Sequence, residues 1–251
     1  MTDEPRPGLA PGIRRPSGTL FAALYGSLAP IPRRDPDQDA YSLFHHRSEA
    51  MGWLEVLWGM NDAGQQHPLG APGLAGWFQV GVEPRPGPLP VQPFLRCAGD
   101  VMARLGTLEL TAVQVLLPPH DAVPGLSSVS TAAWFGGTGP RTPVRVTLDS
   151  GQDPSIPAVA ARLRDRMADQ DVFACESAGV SPEPSPPFHD SFWNGPPRHS
   201  ASFHGTLAEW SADAIGWLGG YAAGLCADAG VPVPVLLTVS RLGAQRTKGT
   251  R

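Results

Sequence analysis

The sequence predicts an α+β fold: an antiparallel-rich sheet with helices on one face, built as an imperfect tandem ferredoxin-like (β-α-β-β) repeat. Three observations predict it. The apolar spacing switches between two periods. Val91, Phe94, Ala98, Val101 and Leu105 recur at three and four, whereas Leu108 to Leu117 alternates Thr and Gln with Val and Leu. The first spacing loads one face of a helix and the second one face of a strand. Elements identified this way run strand–helix–strand–strand twice, then helix–strand. The last six, from Val144 on, follow the ferredoxin-like order β-α-β-β-α-β, which lays helices on one face of the sheet. Finally, the ends of the two units echo each other, Ala133-Trp134-Phe135-Gly136 beside Ser202-Phe203-His204-Gly205.

Residues 1–18 hold four prolines and little apolar material, which predicts a disordered arm. Residues 19–75 form a mixed segment packed on the core. Within it Thr19 to Leu28 reads as a short helix with Phe21, Leu24, Tyr25 and Leu28 on one side, followed by a polar loop from Pro30 to Asp39. Ala40 to Ala50 reads as helix, Gly52 to Gly59 as strand, and Asn61 to Gly73 as loop.

The first β-α-β-β unit spans 76–140. Trp77 to Val82 is a strand, Pro86, Pro88 and Pro90 break the chain, and the helix from Val91 closes at Gly106. Leu108 to Leu117 and Ser127 to Phe135 are strands. The loop Gly136-Gly137-Thr138-Gly139 leads to Pro140 and another strand rather than a helix, so it reads as a hairpin turn and not a phosphate cradle.

The β-α-β-β-α-β unit spans 141–243. Val144 to Leu148 is a strand. Asp153 or Ser155 caps a helix with Ile156, Val159, Leu163 and Met167 inward, and Val172 to Ser177 is the next strand. Ser181 to Pro197 is a proline-rich loop, and His199 to His204 a strand. Thr206 and Glu209 have the spacing of a capping box. Behind them Leu207, Trp210, Ala214, Trp217, Leu218, Tyr221 and Leu225 share a helix face up to Gly230. A stripe of Ala212, Gly216, Gly220 and Gly224 on that helix predicts close backbone packing. Pro232 and Pro234 place the last strand at a sheet edge. Residues 244–251 are a flexible basic tail.

Composition removes several function classes. The net charge is −4, so a duplex nucleic acid is not expected as a partner. Of 19 Lys and Arg residues Lys248 is the single lysine, which argues against Schiff-base chemistry, P-loop NTPases and kinases. No Gly-x-Ser-x-Gly, Cys-x-x-Cys or His-Glu-x-x-His is present. The uncharged run between Asp213 and Asp228 falls short of the about 20 residues of a membrane span. Cys97, Cys175 and Cys226 read as reduced core residues, and no signal-peptide run opens the chain, so a cytoplasmic protein is expected. His45, His46 and Glu49 read as an exposed polar turn rather than metal ligands. No metal and no cofactor are expected.

Two classes of function fit what is left. One is a non-catalytic module that binds a protein partner or small apolar molecule through the 181–197 loop and the adjoining sheet. Phe192, Trp193 and Asn194 in the loop and Trp217 in the helix are its candidate contacts. The other is a cofactor-independent acid–base enzyme, a cyclase, isomerase or hydrolase. There Asp190 would orient His189, with His199 or His204 completing the site. His199 and His204 are five apart, so a regular strand turns them to opposite faces. An enclosed pocket of about 300 Å³ or more with Trp and His inside favours the enzyme. Solvated histidines and an exposed Trp193 favour the binder.

Overall fold

A computed structural model describes residues 18–31, 38–65, 72–83, 87–119, 133–137, 139–168, 171–179, 186–187 and 199–243. The elements are β1 (Gly18–Pro30), α1 (Ala40–Ala50), β2 (Gly59–Gly64), β3 (Leu74–Val82), α2 (Val91–Leu105) and β4 (Gly106–Leu117), then β5 (Thr142–Asp149), α3 (Ser155–Met167), β6 (Phe173–Gly179), β7 (Ser200–Leu207), α4 (Ala212–Asp228) and β8 (Val235–Arg241). The class is α+β: among the described residues one eight-stranded antiparallel sheet is covered by four helices.

The strand order is β2-β3-β1-β4-β8-β5-β7-β6. Read from each outer edge inward it is 2-3-1-4 and 6-7-5-8, the same pattern twice. Both halves have the element order β-α-β-β-α-β, and the halves join where β4 pairs with β8, Val115 opposite Leu237. The apolar sides of all four helices enter one continuous core on one face of the sheet, with Phe44, Phe94, Leu163 and Trp217 among its members.

Several sequence expectations are corrected here. Thr19 to Leu28 is not a helix but most of β1. Leu20, Ala22 and Leu24 face the helices while Phe21, Ala23 and Tyr25 face the other way, and both sets are buried. A strand buried on both sides is apolar at every position, so its periodicity cannot be told from that of a buried helix. β1 bends at a bulge between Tyr25 and Gly26. Gly26 has φ of +154°, and a side chain there would collide with the Glu109 carbonyl. The second strand lies at 59–64, not 52–59. Of the strand expected at 127–135, only 133–135 is described, and it is a 3-10 turn with Trp134 exposed.

The last helix starts later than the capping-box spacing implies. Thr206 and Leu207 are in β7, and Thr206 Oγ1 accepts a 3.0 Å bond from Arg141 Nε. The N-cap is Ser211, whose Oγ accepts from Ala214 N at 3.1 Å. At the other end Gly230, with φ of +75°, closes the helix. Its N–H donates to Ala227 O, and Val231 N–H donates to Cys226 O, the paired bonds of a Schellman ending. The expected close packing of the glycine stripe is present in part. A Cβ on Gly216 would stand 2.7 Å from Gln92 Cα, and one on Gly219 2.8 Å from Val91 Cγ1, but one on Gly224 would meet nothing within 4 Å. Asp213 ties the two helices together, accepting from Arg96 Nη2 at 2.8 Å and Gln92 Nε2 at 3.3 Å.

The strand after Pro232 and Pro234 is not an edge strand. β8 sits between β4 and β5, at the centre of the sheet. Both prolines precede Val235, where pairing begins, so they remove no donor from the ladder.

Candidate functional site

The side of the sheet away from the helices has an unusual composition. Side chains on a strand alternate between faces, and the register aligns those of neighbouring strands into rows. One row crosses the sheet: Gly64, Trp77, Ala23, Gln114, Thr238, Thr147, Ser202 and Gly179. Its middle is polar, yet Gln114 is 0%, Thr238 1%, Thr147 2% and Ser202 1% exposed. Thr147 and Ser202 hydroxyls share a 2.9 Å hydrogen bond. Gln114 Nε2 donates to Thr238 Oγ1 at 3.4 Å and to the Pro186 carbonyl. Gln114 Oε1 has no partner and is buried.

The flanking rows divide the face into two zones. Toward β3, β1 and β4 it is apolar: Phe21, Ala23, Tyr25, Trp77 and Ala112, with Leu236 from β8, form a small cluster of their own, and Phe21 stacks on Trp77 at 6.0 Å. Burial pushes the Tyr25 phenol up to about 12. Toward β5 and β7 it is polar. Arg145 on β5 lies directly opposite His204 on β7, with Ser240 of β8 on the other side of Arg145 and Ser177 of β6 beyond His204. Both Arg145 and His204 are half-buried.

Of the sequence-derived site residues, His204 is therefore on this face. His199 is not built into the same cluster. It precedes β7, and its backbone is held to the β5–α3 turn by His199 N–H to Gly151 O (2.8 Å) and Ser150 N–H to His199 O (3.0 Å). Neither imidazole hydrogen-bonds to a described side chain. Trp217 is on the opposite side of the sheet, buried in α4 and stacked on Tyr221 at 5.1 Å. It reaches only the floor of an open cleft of about 310 Å³ formed with Leu57, Pro88, Leu89, Gly216 and Gly220. It is a core residue because the adjoining glycines let α2 approach it. His189, Asp190, Phe192, Trp193 and Asn194 lie outside the described residues.

A second open cleft, about 510 Å³, runs between α1 and α2 with Leu43, His46, Ala50 and Val101 along it. It is crossed by an ion pair of 2.6 Å between Arg47 and Asp100. Among the described residues no group of three or more His, Cys, Asp or Glu is placed to hold a metal ion. The three cysteines are free thiols. Burial raises the pKa of Cys97 and of Cys226 to about 12. It also raises that of Cys175, against the opposing effect of Arg164.

Sequence reasoning missed Arg145, Gln114, Thr147 and Thr238. Each is a polar residue between apolar neighbours in its strand, a signal present in the sequence. Only the register shows that the interruptions line up. No helix among the described residues is long and apolar enough to cross a membrane. No protein-family model and no curated protein matches the chain.

Proposed function

We propose that the chain is a non-catalytic binding module and that its ligand or partner is held on the helix-free face of the sheet. One observation carries this reading: the sealed polar row that ends in the unpartnered Gln114 Oε1. A buried acceptor without a donor costs about 1–3 kcal/mol, and a stable sheet face has no need of one. A bound group that donates to it offsets that cost. The zoning of the face, apolar beside polar, suits a ligand with an apolar body and a polar end.

The repeated strand order supports a finer description of the scaffold as two ferredoxin-like modules joined edge to edge through β4 and β8. The three free thiols fit a reducing, cytoplasmic setting.

The test is a thermal-shift panel of small metabolites on the full chain and on Thr147→Val, which removes one hydroxyl from the row at nearly constant volume. A compound at about 100 times its Kd stabilises the native state by about 2.7 kcal/mol. It is expected to raise the Tm of the parent clearly more than that of the variant, and to be recovered unchanged by mass spectrometry. Chemical conversion of the compound would move the assignment to an acid–base enzyme working through His204. Equal stabilisation of parent and variant by every compound would remove the face as the site.

A further inference from the structure

Resting on that reading, we infer that Arg145 and His204 form an oxyanion site at the open end of the helix-free face, and that the ligand is a small molecule carrying a carboxylate or phosphate. Two arginines in β5 and just before it make the contrast that points there. Arg141 is fully employed: Nη1 donates to Asp171 O at 2.8 Å, Nη2 to Thr206 O at 3.0 Å and to Val172 O, and Nε to Thr206 Oγ1. Its role is to fasten the end of β7. The side chain of Arg145, four residues on, makes no hydrogen bond or ion pair with another described residue, although it is half-buried. A guanidinium is always charged and offers five donors in a flat fork, so holding one half out of water with nothing to bind is unfavourable.

The surroundings do not neutralise it. Its opposite neighbour across β5–β7 is His204, whose imidazole can donate a hydrogen bond and has no partner among the described side chains. The other described neighbours on this face, Thr147, Ser202 and Ser240, are uncharged. The nearest carboxylate along β6 belongs to Glu176, the extra residue of the bulge between Cys175 and Ser177, and it is exposed and makes no ion pair with Arg145 or His204. An arginine and a histidine side by side, flanked by hydroxyls and with no carboxylate among their described cross-strand neighbours, match the donor set that an oxyanion needs. The size of the ligand follows from the next row. Thr147, Ser202 and Thr238, within two residues of the pair, are buried, so contact on this side is limited to the half-buried Arg145 and His204, which suits a narrow head group better than a broad partner surface.

The test follows the His204 ring by proton–carbon NMR on the full chain, its signal assigned with His204→Gln. Titrants are benzoate, phenyl phosphate and neutral benzamide. A saturable shift of the His204 signal with benzoate or phenyl phosphate but not with benzamide is expected, and whichever anion binds more tightly identifies the oxyanion. Arg145→Gln is expected to weaken that binding about tenfold or more, since a charge-assisted fork is lost. Arg145→Lys, which keeps the charge, should fall between, and Arg104→Gln on the helix side should match the parent. Circular dichroism checks that each variant is folded, and Arg145→Lys carries the comparison if Arg145→Gln is not. The inference is overturned if neither anion gives a saturable shift, if benzamide acts equally, or if the Arg145 variants bind like the parent. It is overturned as well if a glutamate-rich peptide moves the signal when the small anions do not. A neutral compound that stabilises the parent over Thr147→Val, with no response to either anion, would remove this site and leave the binding face standing.

Discussion

Single residues decide whether a polar group here serves the scaffold or the face. Arg141 and Arg145 are the same residue type on the same stretch of chain, yet only the first has its donors satisfied within the protein. Ser211 belongs with Arg141. It caps α4 through its hydroxyl, and Ser211→Ala is expected to cost about 1 kcal/mol in urea unfolding. The corresponding change at Thr206 should act through β7 and Arg141 and leave the helix end intact, which amide exchange of residues 212–215 would report. The thiols give a pH prediction. Burial holds Cys97 and Cys226 at about 12, above the ordinary 9.0, and Tyr25 at about 12, above 10.0. Between these limits the unfolded chain has released protons that the native state retains, so it binds fewer protons. Stability therefore falls as pH rises from about 9 to about 12. Urea midpoints measured across that range should decline, and a flat or rising profile would contradict the burial of these groups. In the same way neither Cys97 nor Cys226 should react with a thiol reagent at neutral pH until the chain is denatured.

At the level of elements, α4 shows how a helix rich in glycine is tolerated. Its glycines are not equivalent. Gly216→Ala places a methyl 2.7 Å from the backbone of Gln92, and parting α2 from α4 is expected to cost about 1–3 kcal/mol. Gly224→Ala meets nothing and should add up to about 1 kcal/mol by lowering the freedom of the unfolded chain. Opposite signs at two positions of one stripe, read from unfolding midpoints, distinguish close packing from a mere tolerance of glycine. β1 is the reverse case. Its sequence is compatible with a helix, and its place between β3 and β4 makes it a strand.

For the molecule as a whole, the two halves share one sheet at β4–β8 and one core beneath the helices. They are expected to unfold in a single transition, with near-ultraviolet circular dichroism and tryptophan fluorescence coincident in urea. Leu237 is buried on β8, where it meets Val115 of the other half. Leu237→Ala should cost about 2–5 kcal/mol and shift both probes together. Two separated transitions would show that the halves are independent domains. The polar zone of the helix-free face belongs to this scale too, because it exists only where β8, β5, β7 and β6 align.

The sequence by itself determined the α+β class, the span of α1 and of α2, and the alternation that marks β4 and β5 as strands. Those features follow from local periodicity and from breakers such as Gly106, which act within a few residues. It also held His204 among its candidates. Tertiary structure decided that β1 is a strand, that β8 is central despite its prolines, that Trp217 belongs to the core, and that Arg145 and Gln114 share a face with His204. Each of these depends on which distant strand lies alongside. A residue's neighbour across a ladder is set by the pairing of the whole sheet, and no window along the chain contains it.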